Sequence, residues 1–137
     1  VTIWTAASKD YALFVIAESI IAGNSNRKID FIFFSYHCDI SESMKKGTKD
    51  LSLLWDTFKL SGYTKENTVI LDDYDEVYKT QPENCIIVVP FEFNKDNSDS
   101  DNFFNKLMPQ MRILNEKIKS GESISSTVVE TNKKTKK

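Results

Sequence analysis

Val1-Thr2-Ile3-Trp4-Thr5-Ala6-Ala7-Ser8-Lys9-Asp10-Tyr11 decides the fold class. Val1 to Trp4 is β-branched and aromatic and reads as a strand. At Thr5 it breaks into small residues that lead directly to a helix which Ser8 can cap. That helix carries Tyr11, Phe14, Val15, Ile16, Ile20 and Ile21 as a wide face predicted to be buried, and Gly23-Asn24 is its expected stop. The strand-then-helix pattern repeats outward from there. Ile29 to Tyr36 reads as a strand apolar on both faces, with Thr68 to Leu71 and Ile86 to Val89 as two more. Helical spacing appears over Asp50 to Leu60, around Asp75 to Tyr78, and from Phe104 to Ile118, where Pro109 either lies close to the start or kinks the helix. Doubly buried strands alternating with helices predict an α/β fold with a parallel sheet. No internal repeat is visible.

Such sheets bind ligands beyond the carboxyl ends of their strands. Thr5 closes the first apolar run, and Asp72-Asp73 closes Thr68-Val69-Ile70-Leu71. Between them in the chain lies Lys49, at the mouth of a helix. A hydroxyl, an amine and two carboxylates so placed are the components of a magnesium-dependent phosphoryl-transfer site. Each residue has a plainer reading. Thr5 could be an ordinary turn residue, and Lys49 one of several surface lysines beside Lys45 and Lys46. One of the two aspartates could cap the short helix that follows. His37 is the single histidine and has no metal-ligand partner at motif spacing, so a structural role is expected. Trp4, Trp55 and Tyr63 read as core or rim packing.

With 137 residues and 40% hydrophobic content, the chain suits one domain with a sizeable core. The stretch 120–137 has no aromatic residue and ends in Lys133-Lys134-Thr135-Lys136-Lys137, so a disordered lysine-rich tail is expected there. Its four lysines outnumber its two glutamates, which leaves the remainder more acidic than the whole chain at −2. An acidic body argues against nucleic acid as the ligand. Cys38 and Cys85 are widely spaced in apolar surroundings and read as buried, reduced thiols. No run approaches the ~20 apolar residues that span a membrane. An intracellular protein is expected, and the first residue, Val1 inside an apparent strand, suggests part of something longer.

The order of the site residues separates two designs. Response-regulator receivers place the acidic pair before the threonine and lysine. Here the order is Thr5, Lys49, Asp72-Asp73, which resembles the second, third and fourth motifs of the haloacid dehalogenase superfamily. Within it, Ile3-Trp4-Thr5-Ala6-Ala7-Ser8-Lys9-Asp10-Tyr11-Ala12 resembles the second motif of the phosphatases that act on the RNA polymerase II C-terminal domain. Thr48-Lys49-Asp50-Leu51-Ser52 is similar to the third motif of the small members of that group. Asn67 to Asp73, followed by Pro82-Glu83-Asn84 and Pro90-Phe91, is similar to the fourth-motif region of the ubiquitin-like-domain-containing branch. Leu107-Met108-Pro109 resembles the final helix. The likeness runs from Val1 to about Leu114. The first motif, Asp-x-Asp-x-Thr or Val at a strand end, has no counterpart here and would precede Val1.

The resemblance implies a three-layer α/β sandwich, with residues 1–119 its C-terminal part and the first strand outside the chain. It implies a magnesium-dependent phosphoserine or phosphothreonine phosphatase acting through an aspartyl-phosphate. Thr5 and the Ala6 backbone N–H would hold a phosphoryl oxygen, Lys49 would neutralise charge, and Asp72 and Asp73 would hold Mg²⁺. The partner would be a phosphorylated protein, with the polymerase tail as the group's best-known target, and the location nuclear or, alternatively, cytoplasmic. The alternative is a catalytically inactive relative used for binding, or a fragment without activity. Without the first strand, the strands ending at Thr5 and Asp72 are expected to expose unpaired backbone, leaving the chain unstable and inactive alone.

Overall fold

A computed structural model describes residues 1–96 and 98–135 of the chain, and both of its strand pairs are parallel. The chain divides into two compact units, Val1–Lys49 and Asp50–Lys137.

In the first unit, strand β1 (Ile3–Trp4) pairs with β2 (Ile32–Phe33), Ile3 opposite Ile32 and Trp4 opposite Phe33. The Ile3 and Thr5 N–H groups donate to the carbonyls of Phe31 and Phe33, each at 3.0 Å. Helix α1 (Lys9–Val15) continues as a π-helical segment, Ile16–Ile21. Its expected buried face is only partly covered. Ala12 and Ile16 are buried, whereas Tyr11 and Phe14 are 63% and 64% exposed. Periodicity marks a face that can be buried and says nothing of what covers it. The second expected strand, Ile29 to Tyr36, is cut short because helix α2 begins at Ser35 and runs to Ser43. Phe34 is extended at the N-cap, and its N–H donates to Nδ1 of His37 at 2.9 Å while the His37 N–H returns to the Phe34 carbonyl. His37 is thus a helix cap, with its ring edge against Phe33.

In the second unit, Leu51, Leu53 and Leu54 are buried by a short π-helical segment, Leu53–Thr57, in place of the longer helix expected to Leu60. Strand β3 (Ile70–Asp72), helix α3 (Asp75–Thr80) and strand β4 (Cys85–Ile87) form a parallel pair with its crossover. Asn84 braces this pair. Its Nδ2 donates to the carbonyls of Lys65 and Thr68 at 2.6 and 2.8 Å, and its own carbonyl accepts the Ile70 N–H. Helix α4 (Phe103–Ser120) lays Leu107, Met111, Leu114 and Ile118 over the pair. Pro109 lies within this helix; it removes the donor for the Asn105 carbonyl, which sits at an exposed residue where water can replace it. Gly121, at φ 74°, then stops the helix, and the Glu122 N–H reaches back to the Lys117 carbonyl.

Two expectations differ from the structure. One concerns the sheet: among the described residues there are two separate two-stranded ladders, β1-β2 and β3-β4, rather than one continuous sheet. The other concerns the stretch expected to be a disordered tail, which holds helix α5 (Ser125–Thr135); Lys136 and Lys137 lie outside the described residues. Ile124, Thr127, Val128, Thr131 and Asn132 form a buried stripe at helical spacing, and Ile124 and Val128 join Ile86, Leu107 and Leu114 in the core. The stripe is built from small β-branched and polar side chains, so neither the aromatic content of the stretch nor its share of apolar residues reveals it. Asn132 is its key member. Its Oδ1 accepts the Ile87 N–H at 2.9 Å and its Nδ2 donates to the Cys85 carbonyl at 2.8 Å. Residues 84, 86 and 88 of the strand segment face β3, so 85 and 87 present the other edge, and one side-chain amide bonds the carbonyl of one and the N–H of the other as a neighbouring strand would.

No described helix is long and apolar enough to cross a membrane.

Candidate functional site

Thr5 follows directly from β1, where the chain leaves the ladder and turns toward α1. Its Oγ1 accepts the Ala7 N–H at 3.1 Å, closing a tight turn. That turn leaves Ala6 exposed, with no partner for its N–H among the described residues. Ser8 occupies the N-cap position of α1, but its hydroxyl makes no cap hydrogen bond, contrary to the expectation from sequence. The strand end therefore presents a threonine hydroxyl and a free amide, both able to donate to an anion's oxygen.

Lys49 is half-buried in the turn after α2. It shares a neighbour with Thr5, the Cys38 thiol. Cys38 Sγ lies 3.9 Å from the Thr5 carbonyl oxygen, and the Lys49 ammonium is close enough to act on it electrostatically. Burial pushes this thiol above its ordinary 9.0, and the indole N–H of Trp4 and the charge of Lys49 only partly oppose the rise; Glu42 and Asp39 add to it. The Trp4 Nε1 faces the sulfur without an acceptor of good hydrogen-bond geometry. Cys38 is accordingly a protonated packing group behind Thr5.

The rest of the lysine motif is structural. Asp50 Oδ1 accepts the Ser52 N–H at 2.7 Å, Leu51 is buried, and its N–H donates to Oε1 of Gln81 at 3.0 Å. Gln81 and Asn84 are bracing residues that sequence reasoning did not single out for that role. Their only signal was position in a Pro-containing loop between two strands.

Asp72 ends β3 and Asp73 is the next residue. Asp72 is buried and its Oδ1 accepts the Tyr74 N–H at 2.9 Å, which turns the chain into α3. One oxygen of Asp72 thus closes an Asx turn ahead of α3, whose N-cap is Tyr74 and which has no side-chain cap hydrogen bond. Asp73 is exposed. Among the described residues no three His, Cys, Asp or Glu side chains gather as a metal cage. The chain offers an adjacent pair of carboxylates past the carboxyl end of a parallel strand. That fits Mg²⁺, which commonly takes one or two protein carboxylates and keeps several waters.

Comparison with known proteins shows the family. Residues 1–122 match the model of the NLI interacting factor-like phosphatase family. The CTD phosphatase-like protein 355R of Invertebrate iridescent virus 6 is 42% identical over 118 residues, which cover 84% of this chain and 63% of that protein. Its namesake in Invertebrate iridescent virus 3 is 41% identical over 106 residues, covering 74% and 56%. The human ubiquitin-like domain-containing CTD phosphatase 1 is 26% identical over 115 residues, covering 82% and 36%. The chain thus spans less than two thirds of the length of these relatives. No solved structure matches it.

Proposed function

Because the chain belongs to the NLI interacting factor-like phosphatase family, we propose that it is the C-terminal part of a magnesium-dependent phosphoserine or phosphothreonine protein phosphatase of haloacid dehalogenase type. One observation carries the reading. The hydroxyl and free amide at Thr5-Ala6 and the carboxylates at Asp72-Asp73 each follow the carboxyl end of a parallel strand, where α/β sheets bind ligands.

The proposed chemistry needs a nucleophile that precedes Val1. A carboxylate oxygen of an Asp on an upstream strand attacks phosphorus, and the bond from phosphorus to the seryl oxygen breaks. A second Asp two residues on gives that oxygen a proton, then takes one from the water that releases phosphate from the acyl-phosphate. Thr5 Oγ1 and the Ala6 N–H donate to a phosphoryl oxygen, and Lys49 neutralises charge building on the transferred group. Asp72 and Asp73 would hold Mg²⁺, which when bound offsets the negative charge of the attacking and transferred groups. The substrate is a phosphoprotein, with the polymerase C-terminal domain the favoured example and a nuclear or cytoplasmic location.

The test is the intact mass and N-terminal sequence of the natural polypeptide. Upstream residues containing a strand that ends in Asp-x-Asp-x-Thr or Val support the reading. A natural start near Val1, or an upstream strand without those aspartates, removes covalent catalysis. The alternative of a binding relative would then stand.

A further inference from the structure

Beyond the carboxyl end of β4 the chain opens a groove of about 520 Å³ that the proposed chemistry does not use. Its lining includes Phe91 and Phe103, Lys106 from the first turn of α4 and Lys134 from the last turn of α5. The charges that face it are unequal. Lys95 is paired with Glu92. Asp101 accepts the Phe103 N–H at 3.3 Å and is the one other carboxylate of the lining. Lys106 and Lys134 are exposed and have no carboxylate partner among the described residues. The lining is therefore net positive on a chain whose net charge is −2.

Lys106 is also placed against its helix. The first turn of α4 contains no acidic residue, and a cation there opposes the helix dipole. With neither the helix dipole nor a described carboxylate supporting its charge, Lys106 is suited to an anion that arrives from outside. Phe91, 63% exposed, adds apolar surface that an extended peptide can cover. The position of the groove follows from the ladder. Asp72 lies opposite Ile87, and the groove begins two residues further on at Val89. With strands ~4.8 Å apart and a rise of ~3.3 Å per residue, it starts on the order of 10 Å from the Asp72 backbone, about three residues of an extended peptide.

We infer that this groove holds the substrate peptide beyond its reacting phosphoserine, with Lys106 and Lys134 binding a second phosphorylated side chain about three residues away. The inference rests on the phosphatase reading and names the substrate that reading would favour, a multiply phosphorylated segment.

The test uses the natural polypeptide that contains these 137 residues, ¹⁵N-labelled, with EDTA present so that the peptides are bound without turnover. The probes are three sets of labelled decapeptides: unphosphorylated, singly phosphorylated on serine, and doubly phosphorylated with the second phosphoserine three residues to either side. One doubly phosphorylated placement should bind about tenfold more tightly than the singly phosphorylated peptide, and less so at high salt. That gain should vanish in Lys106→Glu/Lys134→Glu, survive in Lys106→Arg/Lys134→Arg, and coincide with amide shifts at Phe103, Lys106 and Lys134. An undiminished gain in the charge-reversed variant overturns the inference. So do shifts at the two lysines produced as readily by inorganic phosphate. If the Thr5, Ala6, Asp72 and Asp73 amides move while the groove stays silent, the groove fails and the phosphatase reading survives. If the groove shifts and those amides do not, the phosphatase reading fails.

Discussion

Asp72 has a turn-closing role in the structure and a metal-binding role in the proposed function, and a pair of substitutions can separate them. Its Oδ1 closes the turn into α3, and its charge belongs to the candidate metal pair. Asp72→Asn keeps the acceptor and removes the charge, so stability should change little while Mg²⁺ affinity falls. Asp72→Ala removes both, and unfolding in urea should show a loss of about 1 kcal/mol in addition. Equal destabilisation by both substitutions would mean that the carboxylate charge, not the turn, supports the fold. Cys38 gives a pH signature at the same scale. Its pKa is raised by burial, so the neutral thiol's contribution is complete below the ordinary 9.0 and is lost as pH climbs toward the folded value. Modification by a thiol reagent at pH 7 should be slow and rise steeply above pH 9, in step with loss of stability; fast modification of folded protein at pH 7 would contradict the protonated packing role.

Among the elements, α5 differs most from what its composition suggests, and one side chain explains why it matters. Asn132 pairs with two backbone groups on the edge of β4, the Cys85 carbonyl and the Ile87 N–H. Asn132→Leu preserves size but leaves a buried N–H and a carbonyl unpaired, so a loss of about 2–4 kcal/mol is expected in chemical denaturation. A loss near zero would show that water or a neighbouring group replaces the amide. Legibility followed the same physics. The parallel pairs, α3 and α4 were readable because strand runs and the 107, 111, 114, 118 spacing are strong periodic signals. The early start of α2 was not, since its cap is the imidazole of His37 accepting from Phe34 rather than a Ser, Thr, Asp or Asn. The stripe of α5 was hidden because Thr127, Thr131 and Asn132 are polar residues, with Thr131 and Asn132 held in the interior by hydrogen bonds to backbone groups.

At the scale of the molecule, the order Thr5, Lys49, Asp72-Asp73 identified the family that residues 1–122 match. Among the described residues the pairs β1-β2 and β3-β4 are separate ladders, and the strands ending at Thr5 and Asp72 are the two that sequence reading expected to lack a shared neighbour. The exposed Tyr11 and Phe14 of α1 belong to the same lesson: an amphipathic face announces a partner without naming it. The central claim is that these residues complete a magnesium-dependent phosphatase whose nucleophile lies upstream. The most direct measurement is phosphate release from a phosphoserine peptide by the natural polypeptide, with Mg²⁺ and with EDTA, beside Asp73→Asn and the 137-residue chain. The account predicts turnover that needs Mg²⁺, falls at least ~100-fold in Asp73→Asn, and is absent from the 137-residue chain. Turnover that persists in EDTA, or ordinary activity from the 137-residue chain alone, would contradict it.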